Sequence, residues 1–103
     1  HKNMGTKFSA HFMSRAKKYL DGLDESDKGT IAADIDLMRA GDLATPYTKK
    51  LRGPIRELIS GPHRLTYFLI KSAIYFVSGF MKKSGKTPKG EIDYAEKIHR
   101  NQK

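Results

Sequence analysis

The sequence predicts an α+β domain in which helices pack against a small antiparallel sheet. In the first half of the chain, apolar residues recur at three- and four-residue steps, which is typical of amphipathic helices. After Pro46 the pattern changes to short apolar runs separated by short links, and links of this length join antiparallel strands. At 103 residues the chain can bury one core, so we expect one domain over residues 1–103, with residues 1–3 as a tag remnant.

Two helices are predicted in the first half. The first covers residues 8–22 and ends at Gly22. Its apolar stripe consists of Phe8, Phe12, Ala16, Tyr19, Leu20 and Leu23. Asp24 or Ser26 caps the second helix, which ends at Gly41. The residues expected on its buried side are Ile31, Ile35 and Met38.

Three strands and a last helix are predicted in the second half, the strands at residues 55–60, 64–71 and 73–81. Two of these runs are apolar at successive positions, so we expect the sheet to be covered in part on both faces. Thr87 is expected to cap the last helix and Pro88 to take its first position. The apolar stripe of this helix is Ile92, Ala95 and Ile98.

The formal net charge is +9, and the whole excess lies in the second half. Residues 1–48 hold seven Lys/Arg and seven Asp/Glu, whereas residues 49–103 hold thirteen and four. Such a one-sided excess is typical of a domain that binds a polyanion, and the alternative is a solvated lysine-rich surface. The chain has no cysteine and no apolar run near 18 residues, so we expect a cytoplasmic protein without disulfides or a membrane segment.

Several classes of site find no support in the sequence. Gly85-Lys86-Thr87 resembles part of a phosphate-binding loop, but the first glycine of that motif would fall on Phe80. Asp34 and Asp36 cannot face each other on a helix, and no two histidines have the spacing of zinc ligands. We therefore expect neither a metal nor a small-molecule cofactor.

Basic and aromatic residues remain, clustered around the predicted strands. Arginine and lysine bind phosphate oxygens, and tyrosine stacks on unpaired bases. RNA also carries its own nucleophile, the 2′-hydroxyl, so these residue types can supply a base, a phosphate stabiliser and an acid without metal. The candidates are Lys49, Lys50, Arg52, Arg56, His63, Arg64, Tyr67, Lys82, Lys83 and Lys86. The alternative for Arg56 and Arg64 is a pair with Glu57 or solvent, and for Tyr67 a core position with a hydrated hydroxyl.

Three segments resemble the HigB-like branch of the RelE/ParE toxin superfamily, which includes phage-derived killer proteins. They are KKLRGPIREL (49–58), HRLTYFLI (63–70) and IYFVSGFMKKSGKTPKGEIDYAEK (74–97). The resemblance implies a RelE/ParE-like fold with two N-terminal helices, an antiparallel sheet of three or more strands and a C-terminal helix. It also implies a type II toxin that cleaves mRNA on the ribosome, with a HigA-like antitoxin, the ribosome and mRNA as partners.

We assign roles to individual residues on this hypothesis, among which Arg64, Tyr67, Lys82 and Lys83 match positions of the family pattern. Arg64 would bind the phosphate, Lys82 or Lys83 would stabilise charge or act as the base, Tyr67 would stack on or orient a base, and His63 is a candidate acid. The residues expected to bind RNA are Lys49, Lys50, Arg52, Arg56 and Lys86, of which Lys49, Arg52 and Lys86 match basic segments of the family.

One position departs from the pattern. Relatives often carry arginine directly after the first strand's Glu-Leu, where this chain has Ile59, and Arg56 would face the other way from it. This departure leaves open which residue stabilises the phosphate. Two alternatives also stay open: a non-cleaving toxin of the same fold that binds a protein such as DNA gyrase, and a general basic nucleic-acid binder.

Overall fold

The computed structural model describes residues 6–83 and 85–102, which form three helices and a five-stranded sheet. The elements in chain order are β1 (Ser9–Phe12), α1 (Ser14–Asp21), α2 (Glu25–Arg39), β2 (Thr48–Arg52), β3 (Ile55–Ser60), β4 (His63–Ile70), β5 (Ala73–Met81) and α3 (Lys89–Gln102). The sheet order is β1-β5-β4-β3-β2. Within the described residues, no helix combines the length and the apolar character that a membrane crossing requires.

Two-residue turns join the last four strands into consecutive antiparallel hairpins. The turns are Gly53-Pro54, Gly61-Pro62 and Lys71-Ser72, and the first residue of each has a φ between 54° and 57°. Tight hairpins favour such a positive φ because its twist matches that of the flanking strands, and glycine adopts it without steric cost. The predicted antiparallel hairpins are therefore confirmed.

The predicted first helix is wrong at its beginning. Residues 9–12 form β1, which runs parallel to β5, so the sheet is mixed rather than purely antiparallel. Phe8 and Phe12 are four residues apart, a spacing that fits two periods of a strand as well as one helical turn. Phe8 and Ala10 pack against the core with the alternation of a strand. The distant partner β5 therefore determined the conformation of this segment.

The strand β2 was not predicted. It is rich in charge, and Leu51 is its one residue that packs against an apolar cluster. β2 lies at the edge of the sheet, where charged side chains discourage pairing with other chains. The repeated Gly-Pro dipeptide, at residues 53–54 and again at 61–62, is the sequence signal that identifies its hairpin.

Helices cover both faces of the sheet, as predicted. On one face α1 and α2 bury Ala16, Ile31, Ile35 and Met38 against Leu58, Leu65, Tyr67, Ile74 and Phe76. Asp24 is the N-cap of α2, and its carboxylate accepts a hydrogen bond of 2.8 Å from the Asp27 amide. On the other face Ala95 of α3 packs with Ile55, Phe68 and Val77.

The beginning of α3 differs slightly from the prediction. The helix begins at Lys89, and the Pro88 carbonyl accepts hydrogen bonds from the amides of Glu91 and Ile92. The Thr87 hydroxyl donates to the Glu57 carboxylate at 2.5 Å, so it ties the segment before the helix to β3. Arg52 also binds α3 through ion pairs. These contacts hold the N-terminus of α3 over β2 and β3.

A matched pair of glycine substitutions tests the packing of α1 on β5. A Cβ at Gly79 would lie 2.5 Å from Cδ2 of Tyr19, whereas a Cβ at Gly29 in α2 would meet no atom within 4 Å. We expect Gly79→Ala to lower the free energy of unfolding by about 1–3 kcal/mol through overpacking. We expect Gly29→Ala to raise it by about 0.5–1 kcal/mol, since alanine favours a helix interior. Urea denaturation measures both, and similar shifts in the two variants would contradict the packing described.

Candidate active site

A cavity of about 450 Å³ opens where the sheet meets the N-terminus of α3. Five cationic side chains and two carboxylates line this basic cavity, and they come from β2, β3, β4, the segment between β5 and α3, and the first turn of α3. The cations are Lys49, Arg64, Lys82, Lys83 and Lys86, and the carboxylates are Glu57 and Glu91. Such a concentration of positive charge, with a hydrogen-bonded floor, suits a phosphate group.

Strand register determines which residues form the floor of the cavity. One row of residues across the sheet is polar, and each of its members lies opposite the next. The row consists of Lys49 on β2, Glu57 on β3, Thr66 on β4 and Ser78 on β5. The next row contains Ile59, Arg64 and Phe80. Because directly opposite side chains share one face, each row directs its members toward α3.

Hydrogen bonds connect the polar row to α3 and to the segment that precedes it. Thr66 and Ser78 are bonded at 2.9 Å, and the Ser78 hydroxyl donates to Glu91 at 3.0 Å. A bulge between Phe76 and Ser78 lets Val77 pack under α3 while Ser78 stays in the row. With the bond between Thr87 and Glu57, the row is held in a single arrangement.

The turn before β4 positions two of the cations. The guanidinium of Arg64 donates through Nη1 to the carbonyl oxygens of Gly61 at 2.7 Å and His63 at 2.9 Å. Both of its hydrogen bonds to described residues use Nη1, which leaves Nη2 and Nε for an incoming anion. The carbonyl of Pro62 accepts from the Lys82 amide at 2.8 Å. Three consecutive carbonyls therefore hold Arg64 and the backbone of Lys82 in place.

The structure brings together half of the ten residues predicted from the sequence. Lys49, Arg64, Lys82, Lys83 and Lys86 line the basic cavity. The other five residues do not line it: Lys50, Arg52, Arg56, His63 and Tyr67. Arg52 instead donates to Asp93 and Glu96 of α3, and hydrogen bonds from Lys89 and Arg52 lower the pKa of Asp93.

Tyr67 lies in the core under α1 and α2, as in the alternative considered for it. It is 2% exposed and packs against Phe76, and its hydroxyl accepts from Nε of Arg56 at 3.3 Å. A buried ring cannot stack on a base, so its position contradicts that role. Arg56 also donates to Thr48 and therefore lies on the face opposite to Ile59, as strand alternation predicts.

His63 is also placed away from the cavity, which argues against its predicted role as the acid. It is 4% exposed and links three elements on the other face of the sheet. Its Nδ1 is hydrogen-bonded to the Tyr19 hydroxyl at 2.6 Å and its Nε2 to Asp27 at 3.0 Å. Burial, and then the charge of Asp27, raise the pKa of Tyr19. We name these three residues the His63 bridge.

Sequence reasoning missed several residues that line the cavity, among them Tyr47, Glu57, Phe80 and Thr87. Tyr47 is 68% exposed at the rim, and its carbonyl accepts the amide of Ile59. A predicted strand at β2 would have indicated Tyr47 as a site residue, because Tyr47 and Lys49 are two residues apart and share the cavity face. Tyr47 therefore provides the exposed aromatic ring that was expected of Tyr67.

A metal site requires several ligands that converge. Across residues 6–83 and 85–102, no three His, Asp or Glu side chains come close enough to hold an ion. The polar groups that line the cavity are lysine, arginine, carboxylate and hydroxyl groups.

This arrangement has the fold of RelE-type toxins. The chain is similar to RelE in the archaeal RelE-RelB complex from Pyrococcus horikoshii OT3, with a TM-score of 0.67, 13% identity and coverage of 77% of this chain and 99% of that one. It is similar to the isolated E. coli RelE toxin, with a TM-score of 0.60, 18% identity and coverage of 91% and 98%. It is also similar to YoeB in a dimer from Staphylococcus aureus, with a TM-score of 0.58, 18% identity and coverage of 77% and 99%.

The family itself is narrower than this fold. The model of the family described as "Phage derived protein Gp49-like (DUF891)" matches residues 18–100, and the chain belongs to that family. No curated protein sequence matches the chain significantly. The structural similarities confirm the predicted RelE-like fold, and the HigB-like branch stays a prediction.

Proposed function

We propose that the protein is the toxin of a type II toxin–antitoxin system and cleaves mRNA on the ribosome. The observation that carries the proposal is the basic cavity, where five cations surround a hydrogen-bonded floor on a RelE-like fold. The HigB-like resemblance of the sequence supports the same activity. Because the RNA 2′-hydroxyl is the nucleophile, the cavity has to bind one phosphate, stabilise its added charge and move protons.

Each role has a residue in the cavity. Arg64 is held by backbone carbonyls through Nη1, so its remaining donors bind the scissile phosphate. Lys82 and Lys83 are exposed at the mouth, where an ammonium group stabilises charge on the phosphate or the leaving oxygen. Tyr47 stacks on a base at the rim. Lys49 and Lys86 bind the neighbouring backbone.

We also propose a cognate antitoxin as partner, of the HigA-like type, in the cytoplasm. Several of the similar solved structures are complexes of a toxin with its RelB antitoxin, which supports an antitoxin in general. An antitoxin that covers the basic cavity would need acidic side chains to match its charge.

A reconstituted translation reaction tests the activity. The purified protein is added with and without ribosomes, and mRNA ends are mapped by primer extension. We expect cuts that require ribosomes, and none at a codon whose scissile nucleotide carries a 2′-deoxy substitution, since the nucleophile is then missing. Intact mRNA with a folded protein would contradict the proposal. Cuts without ribosomes, with binding that weakens steeply as salt rises, would favour a general basic binder.

One observation favours a second candidate, a non-cleaving toxin that binds a protein such as DNA gyrase. Ile59 lies in the floor directly opposite Arg64, at the position where relatives often carry arginine. This cavity therefore has one basic group fewer beside the phosphate. A DNA supercoiling assay distinguishes the two functions, because only the second candidate inhibits gyrase while mRNA stays intact.

A further inference from the structure

We infer that Glu57 is the general base of the proposed cleavage, an inference that rests on the proposed function. Glu57 is 3% exposed and yet lines the basic cavity. A carboxylate repels phosphate, so a surface that only bound RNA would gain from its absence. Its place in the floor among five cations is explained by a chemical role, and proton transfer is one that a carboxylate performs well.

The contacts of Glu57 hold its carboxylate in one orientation. Oε1 accepts a hydrogen bond of 2.5 Å from the Thr87 hydroxyl, and the side chain lies opposite Lys49 across β2 and β3. Thr87 belongs to the same segment as Lys86, which also lines the cavity. With one oxygen fixed in this way, the second is oriented to accept a proton from a substrate hydroxyl.

The other candidates for the base fit less well. A lysine accepts a proton only after losing its own, whereas a carboxylate is normally ionised at neutral pH. Lys82 and Lys83 are exposed at the mouth of the cavity and do not belong to its hydrogen-bonded floor. Glu91 accepts from Ser78 in the first turn of α3, where a negative charge also stabilises the helix terminus. Glu57 lies in the middle of the floor, one row away from Arg64.

The proposed step balances without a cofactor. Glu57 takes the proton of the 2′-hydroxyl while the bond between O2′ and phosphorus forms. The bond between phosphorus and O5′ breaks, and O5′ takes a proton from a lysine ammonium of the cavity. The products are a 2′,3′-cyclic phosphate and a 5′-hydroxyl, and the lysine and carboxyl group exchange their protons with water.

Glu57→Gln tests this inference, because the amide oxygen of glutamine still accepts from Thr87 but the side chain accepts no proton. We expect kcat for ribosome-dependent cleavage to fall about a hundredfold or more, while KM and the melting temperature stay close to those of the parent. Glu25→Gln is the matched control, since Glu25 is exposed on α2 far along the chain from the cavity, and we expect its kcat to be unchanged.

A modified substrate distinguishes the loss of the general base from the loss of the general acid. A 5′-bridging phosphorothiolate has a leaving group that departs without protonation. We expect Glu57→Gln to stay slow on this substrate, and the variant that lacks the acid, Lys82→Ala or Lys83→Ala, to recover.

Two results would overturn the inference while the proposed function stands: a Glu57→Gln enzyme as active as the parent, or loss of kcat in Glu91→Gln in its place. A parent protein that leaves mRNA intact would remove the proposed function and this inference together.

Discussion

Arg64→Ala is expected to reduce ribosome-dependent mRNA cleavage about a hundredfold or more, which corresponds to a loss of roughly 2–4 kcal/mol of transition-state stabilisation. The physical reason is the position of the guanidinium. It is oriented by two backbone carbonyls at the wall of the basic cavity, so it meets a phosphate without losing side-chain freedom. Single-turnover cleavage of a ribosome-bound mRNA measures the effect directly.

Two companion variants show whether charge alone accounts for the effect. Arg64→Lys keeps the charge but lacks the planar fork, so we expect a rate between those of the parent and the alanine variant. Arg39→Ala removes an arginine that pairs with Asp36 on the surface of α2, and we expect it to cut at the parental rate. Equal rates for Arg64→Ala and Arg39→Ala would refute the role of Arg64.

His63→Ala is expected to lower the free energy of unfolding by about 2–4 kcal/mol, because it leaves two polar partners without their bonds and opens a buried space. The His63 bridge connects β4 to α1 and α2 through both ring nitrogens. For a chain of this size, the loss corresponds to a fall in melting temperature of roughly 10–20 °C. Calorimetry and urea denaturation are the measurements.

His11→Ala is the matched control, because His11 is exposed on β1 and stacks on Tyr75 at the surface. We expect it to cost about 0.5 kcal/mol or less. Tyr19→Phe removes one hydroxyl of the bridge, and its expected cost is about 1 kcal/mol. A double-mutant cycle between Tyr19→Phe and His63→Ala should then show coupling, since the two residues share one bond. Additive effects, or a neutral His63→Ala, would contradict the bridge.

Local signals predicted a large part of the fold. The apolar spacing of α2, its cap at Asp24 and the glycine after its end are properties of neighbouring residues, and the structure confirms them. The hairpins of β3, β4 and β5 follow from links too short for any other connection. Local signals did not predict β1, because its partner β5 lies about sixty residues further along the chain and no local pattern contains that pairing.

The candidate site was predicted only in part, because its composition depends on which face each strand residue takes. The sequence alone determined the excess of positive charge in the second half, the hairpins and the lysines that precede α3. Only the tertiary structure determined that Tyr67 points into the core, that Tyr47 stands at the rim and that Glu57 lies among the cations. The physical reason is that successive strand residues alternate between faces, so register, bulges and the placement of α3 determine which side chains meet.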